Sequence, residues 1–447
     1  MLDQNPPQRP AAAQIPAGVS DYFWTDAWQR RKIQQSLLST FRRWGYDDVI
    51  PPSFEYADTI GERASAAIRS NMYRFLDRDG RMLALRADMT IPVARLVGTR
   101  LYDRPMPQRF CYAGSIFRHV EQIQANTRRE FWQAGSELIG AAGPDADAEI
   151  LAMSAHALQA IGLSQFQLVM GHFSYYTGLL KALNVSPEQE TLLTTGLIRN
   201  SQAAIREFLN NTSLGTQQRE TVEGLLHLKG YDANVVIAEA DRLCLNGMMH
   251  NALVNLHAIY DVLKKYNVAS YVYLDLTTIR DLGYYTGLNF EIFAPKMGAP
   301  VGSGGRYDTL LSSFGLDLPA IGTAFGMDRL IMALHAQNNE SVSSAPIPVD
   351  AWVYAGGSSD CLDIVQAWRA QGLRIVVDVS GYQRAQLWQA AQEAGAKCAL
   401  SWREGDQSSD NQAGFEAYMR RDSATSTQFL SATNAVEGLG KLLGGEA

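Results

Sequence analysis

Between about Ser174 and Lys265 the sequence carries leucine at helical spacing and little β-branched alternation, as in LLTTGLIRN and REFLNN. Strand-like runs stand on both sides of it. That interruption makes the stretch read as an inserted, mostly helical lobe. Upstream, residues 1 to 15 are rich in Pro, Ala and Gln and read as a loose arm. A helix is expected from Asp26 to Trp44, with Leu37, Leu38, Phe41 and Trp44 on one face and Gly45 at its stop. DVIPP (Asp48–Pro52) reads as a short strand ended by prolines. Further strands are expected at Met82–Arg86, Gln108–Tyr112, Phe131–Ile139 and Gln165–Gly171, with a helix at Asp145–Ile161. Downstream of the lobe, strands are expected at Ala269–Leu276 and Leu288–Phe293. VGSGGRYDTL reads as a glycine-rich turn, and Ile321–Leu334 as a strand end running into a buried helix.

The polar stretch Ala336–Pro348 marks a linker. Beyond it, strands at Val349–Ala355, Leu373–Val379 and Ala396–Trp402 alternate with helices at Asp360–Gln371 and Tyr382–Ala394, a small α/β domain over 349–447.

Several classes are disfavoured. No apolar run reaches the roughly 18 residues of a membrane span, and the N-terminus lacks a cationic start followed by an apolar core. The four cysteines are scattered with neither a CxxC pair nor zinc spacing, so reduced cytosolic thiols and no metal are expected. A net charge of -7 handicaps a main partner made of nucleic acid.

Three stretches combine arginine, glycine and carboxylate. In Arg86-Ala-Asp88-Met-Thr90 a carboxylate and a hydroxyl two residues apart at a strand end suit an ammonium group. In Phe117-Arg118 and Arg129-Glu-Phe-Trp-Gln133-Ala-Gly-Ser-Glu137, Gln133 and Glu137 lie four apart on one strand face. The third is Arg280-Asp-Leu-Gly-Tyr284-Tyr285 with Gly302-Ser-Gly-Gly-Arg306-Tyr-Asp308 and Gly326-Met-Asp-Arg329. Singly, each has a plain structural reading: Arg86 or Arg118 as an ion pair, the tyrosines as packing, the glycines as a tight turn.

In this order the stretches resemble the histidyl-tRNA synthetase family of class II catalytic domains over about residues 16 to 335. Gly18-Val-Ser-Asp21 with Phe41–Pro52 resembles the dimer-forming motif 1, Phe117-Arg118 the motif 2 arginine, and Gly326–Arg329 motif 3. Arg280–Tyr285 and Gly304–Asp308 resemble the two histidine-binding signatures. The resemblance implies an α+β fold: an antiparallel sheet flanked by helices, with the helical insertion (about 174–265) and, after the linker at 336–348, an anticodon-binding-like domain.

Departures within that family resemble its non-catalytic branch, the regulatory subunit of ATP phosphoribosyltransferase. Asp88 stands where the synthetase motif has glutamate, Val120 where motif 2 has its glutamate, and Gly283 where the signature has aspartate. From Val349 to Ala447 eight Lys and Arg face twelve Asp and Glu, a poor surface for tRNA phosphates. The resemblance therefore implies a regulatory subunit of the first step of histidine biosynthesis, with no catalytic residues and no cofactor. It implies a short-form catalytic subunit as partner in a hetero-octamer, self-association through the motif 1-like element, no tRNA, and a cytoplasmic location. It also implies free histidine as ligand, with Asp88 and Thr90 at the ammonium group, Gln133 and Glu137 as polar lining, Arg118 and Arg280 near the carboxylate, and Tyr284 and Tyr285 beside the imidazole. The alternative is a histidyl-tRNA synthetase that activates histidine and charges tRNA; a third reading is a paralogue that senses something else.

Overall fold

The computed structural model describes residues 14–120, 128–278, 285–338, 348–379, 384–405, 412–421 and 424–444. The chain divides into two compact units, Met1–Asp21 with Gln29–Val342, and Tyr22–Trp28 with Ser343–Ala447.

The first unit is organised on a nine-stranded sheet. Its order is Asp47–Asp48, Gln108–Phe117, Glu130–Ile139, Ala320–Gly326, Gly302–Arg306, Leu288–Phe293, Gln167–His172, Val272–Asp275, Lys229–Gly230. The six strands from Gln108–Phe117 to Gln167–His172 pair antiparallel. Parallel pairs flank them, Asp47–Asp48 on one side and Val272–Asp275 on the other. The sheet is thus mixed, antiparallel at its centre. One face packs on the helices Trp24–Arg43, Pro144–Ala160 and Met327–Asn338, burying Leu37, Phe41, Leu151, Phe290 and Phe325. Helix Trp24–Arg43 is tied to Met327–Asn338 by Arg30 and Asp328, 2.7 Å apart. The other face meets a smaller core around Met89, Ile91, Tyr112, Ile116 and Tyr307. The helical stretch is built of Phe173–Leu183, Pro187–Ile198, Gln202–Asn210, Thr216–Gly224, Ala233–Arg242 and Gly247–Lys265. Its start and turns are capped by side chains: His172, Ser186, Ser201, Asp232 and Asn246 each accept a first-turn N–H.

VGSGGRYDTL is not a turn. Gly302–Arg306 is a central strand, and its glycines are there because neighbouring chains crowd them. A Cβ on Gly304 would lie 2.2 Å from the Gly322 carbonyl oxygen and 2.5 Å from Phe290 Cζ; one on Gly305 would meet the Leu288 oxygen at 2.7 Å. Of DVIPP only Asp48 lies in the sheet, in the two-residue strand Asp47–Asp48, and the Pro51 and Pro52 carbonyls accept from Arg86 instead. The expected strand at 108 runs on to Phe117.

The second unit carries a five-stranded sheet, Ile375–Val377, Ala351–Tyr354, Cys398–Arg403, Gly414–Arg421, Ala424–Ser431. The first three strands pair parallel and the last two antiparallel. Trp368 and Phe415 are buried at its core, and the Trp368 indole N–H donates to the Ala435 carbonyl at 2.9 Å.

Candidate functional site

Strand Glu130–Ile139 lays Gln133, Gly135 and Glu137 on one face. Gly135 leaves space that the site uses: a Cβ there would lie 2.6 Å from the Tyr112 hydroxyl oxygen. Tyr112 thereby reaches past it and donates to Glu137 Oε1 at 3.0 Å. Thr90 donates to the same oxygen at 2.8 Å, and the Tyr307 hydroxyl donates to Oε2. Gly322, opposite Glu137 in the ladder, is equally required, since a Cβ would sit 1.7 Å from Oε2. Glu137 is 1% exposed. Burial pushes its carboxyl up to about 7, against the three hydroxyls that hold it down, with the Asp88 charge adding to the rise.

Asp88 lies just ahead of helix Thr90–Arg100 and accepts the Ile91 N–H on Oδ1 at 3.1 Å. Its other oxygen, Oδ2, is buried with no hydrogen-bond partner among the described residues, as is Gln133 Oε1. Burial raises the Asp88 carboxyl, while the Ile91 N–H and the Arg118 charge lower it. Arg118 donates to the Ala87 carbonyl at 2.8 Å and sits 5.5 Å from the Phe131 ring centre. Tyr285 is buried in the same core as Tyr112 and Tyr307. Asp88 Oδ2, whose carboxyl feels the Arg118 charge, and Gln133 Oε1, on the strand face of Glu137, are buried acceptors of the kind a cationic amine satisfies.

Of the expected site residues, Asp88, Thr90, Arg118, Gln133, Glu137 and Tyr285 therefore lie on this side of the sheet. Arg280 and Tyr284 fall outside the described residues. Thr90 and Asp88 do not act alike: the Thr90 hydroxyl is spent on Glu137, and only Asp88 keeps an oxygen free. Arg86 is no ligand clamp. Its guanidinium donates to the carbonyls of Ser115, Pro51 and Pro52, stitching three backbone segments together. Arg329 donates to the Pro300 carbonyl at 2.8 Å. Tyr112 and Tyr307 were not among the expected residues; Tyr307 lies inside the Gly304–Asp308 signature and Tyr112 is signalled only by Gly135 opposite it. Among the described residues no group of three or more His, Cys, Asp and Glu could hold a metal ion, and no helix is long and apolar enough to cross a membrane.

Residues 18–330 match the family model described as histidyl-tRNA synthetase. A protein of Syntrophotalea carbinolica, named ATP phosphoribosyltransferase regulatory subunit, is 36% identical over 82% of this chain and 85% of its own length. One of the same name from Moorella thermoacetica is 36% identical over 87% and 97%. A Bacillus halodurans C structure, named ATP phosphoribosyltransferase regulatory subunit/histidyl-tRNA synthetase, superposes with a TM-score of 0.78 at 30% identity, covering 88% of this chain and 99% of that one. The histidyl-tRNA synthetase of Nostoc sp. PCC 7120 superposes with a TM-score of 0.77 at 18% identity, covering 96% and 99%, a likeness of fold alone.

Proposed function

Since the chain belongs to the ATP phosphoribosyltransferase regulatory subunits, a family built on the histidyl-tRNA synthetase fold, we propose that it serves histidine biosynthesis by switching a catalytic partner. On this reading the chain carries no reaction of its own. A short-form ATP phosphoribosyltransferase transfers the phosphoribosyl group of phosphoribosyl pyrophosphate to ATP in the cytoplasm, releasing pyrophosphate, and this chain, dimeric through its motif 1-like element, enables it within a hetero-octamer.

The pocket beside Glu137 takes free histidine as the feedback ligand. The observation that carries this part is that two buried oxygens, Asp88 Oδ2 and Gln133 Oε1, have no donor among the described residues. An α-ammonium group supplies up to three donors to such acceptors. Arg118, and Arg280 by resemblance, face the carboxylate; Glu137, Tyr285 and, by resemblance, Tyr284 face the ring. Binding there shifts the partner only insofar as histidine favours one state of the assembly over the other.

Histidyl-tRNA synthetase activity is the weaker reading. Val120 offers ATP no polar side chain, and the acidic stretch from Val349 is poorly suited to tRNA. Histidine-dependent ATP–pyrophosphate exchange by the purified chain separates the two. The proposal expects no exchange together with saturable histidine binding in calorimetry; robust exchange overturns it.

A further inference from the structure

On the opposite face of the sheet from Glu137, a cavity of about 530 Å³ opens where the helical stretch meets the strand ends. That size lies within the range of small-molecule sites. Its floor holds Arg306, whose guanidinium is pinned between two carboxylates. Nη2 lies 2.6 Å from Asp147 Oδ1, and Nη1 donates to Asp308 Oδ1 at 3.0 Å. Asp308 Oδ1 also accepts the Ala320 N–H at 3.1 Å, and its side chain, 40% exposed, lines the cavity. Helix Gly247–Lys265 contributes Asn251 and Asn255 to the wall. Asn255 Oδ1 is buried there, and its side chain interacts with the His172 ring. His172 closes the far side, 9% exposed, its Nδ1 accepting the Ser174 N–H at 3.2 Å. An Nδ1 that accepts carries no proton, so the ring proton sits on Nε2 as a donor.

The lining excludes some ligands. Arg306 against Asp147 and Asp308 leaves one net negative charge, and burial holds the His172 ring neutral, down to about 4. A phosphate or carboxylate entering would meet repulsion and lose its water. What the walls offer instead is a half-exposed carboxylate, the interacting Asn255 and His172 side chains, and the amide of Asn251. Hydroxyl groups, which donate and accept at once, satisfy such a set, and adjacent hydroxyls suit a carboxylate paired with an amide. We propose that this cavity is a second ligand site for an uncharged vicinal diol of pentose or nucleoside size, held by Asp308, Asn255 and His172. The inference stands on the cavity and not on the histidine reading, and either can fail without the other.

Titration calorimetry of the full chain with D-ribose, adenosine and AMP tests it. Saturable binding of adenosine is expected, with AMP weaker because of its phosphate. Ribose binding as well assigns the site to the sugar ring; adenosine alone assigns it to the whole nucleoside. Asn255→Leu removes the amide from the wall and Met248→Trp fills the space from the same helix. Each is expected to weaken adenosine at least tenfold while histidine titration of the Glu137 pocket stays as in the unaltered chain. No saturable binding of any probe, binding undiminished in both variants, or AMP binding more tightly than adenosine overturns the proposal.

Discussion

Two buried side chains set opposite pH dependences on this molecule. Glu137 titrates near 7 in the folded chain against 4.5 for the free carboxyl. Between those values the folded state binds the extra proton, so this residue's contribution to stability falls as pH rises from 4.5 to 7. His172 is held near 4 against 6.5. There the unfolded chain binds the extra proton, so stability falls as pH drops from 6.5 to 4. Each effect is worth about 3 kcal/mol over its full window, and between pH 4.5 and 6.5 the two slopes oppose. Urea unfolding at pH 4.5, 5.5 and 6.5 is expected to show that Glu137→Gln loses stability on acidification more steeply than the parent, while His172→Asn gains relative to it. Parallel curves for all three proteins would contradict this account. Asp88→Ala, which removes the buried acceptor offered to an ammonium group, is expected to weaken histidine by roughly tenfold or more, the scale of a charge-assisted hydrogen bond. An unchanged dissociation constant in calorimetry would remove Asp88 from the pocket.

Consecutive residues at the end of strand Gly302–Arg306 serve both faces of the sheet. Tyr307 holds Glu137 on one side, while Arg306 and Asp308 line the cavity on the other. Arg306 and Asp147 are 7% and 1% exposed, so breaking their pair strands a buried charge. Arg306→Met is expected to cost about 3–5 kcal/mol in chemical unfolding, and the double variant with Asp147→Asn markedly less. Equal losses would mean that the pair is not coupled. Gly322→Ala places a methyl against Glu137 and is expected to destabilise by about 1–3 kcal/mol through overpacking.

Helix Pro144–Ala160, strand Leu288–Phe293 and the helical stretch were legible because apolar spacing reports them directly. Gly302–Arg306 was not, since its glycines answer to the Gly322 and Leu288 backbones, which no local pattern encodes. Strand Gln108–Phe117 outran its expected end at Tyr112 for a similar reason. A Cβ at Gly114 would lie 2.7 Å from Arg86 Nη2, a contact made across the fold. Strands Gly414–Arg421 and Ala424–Ser431 went unseen, the second being a mostly polar run, ATSTQFLS. Of the site, the ordered motifs reached Asp88, Gln133 and Glu137. The ring of hydroxyls around Glu137 is a tertiary product and carries no spacing of its own.

At the scale of the whole molecule, a histidyl-tRNA synthetase-like fold carries the proposed histidine site around Asp88, Gln133 and Glu137. The same fold at 18% identity in a synthetase and at 30% in a protein bearing both names makes architecture alone a poor guide to activity. The proposed function then rests on what the chain does to a partner. The most direct measurement is phosphoribosyl transfer from phosphoribosyl pyrophosphate to ATP by a short-form catalytic subunit, titrated with this chain. The account predicts that activity rises with added chain, saturates at a fixed stoichiometry, and is then lowered by histidine in the parent but not in Asp88→Ala. A transferase rate indifferent to the chain at every ratio would contradict it.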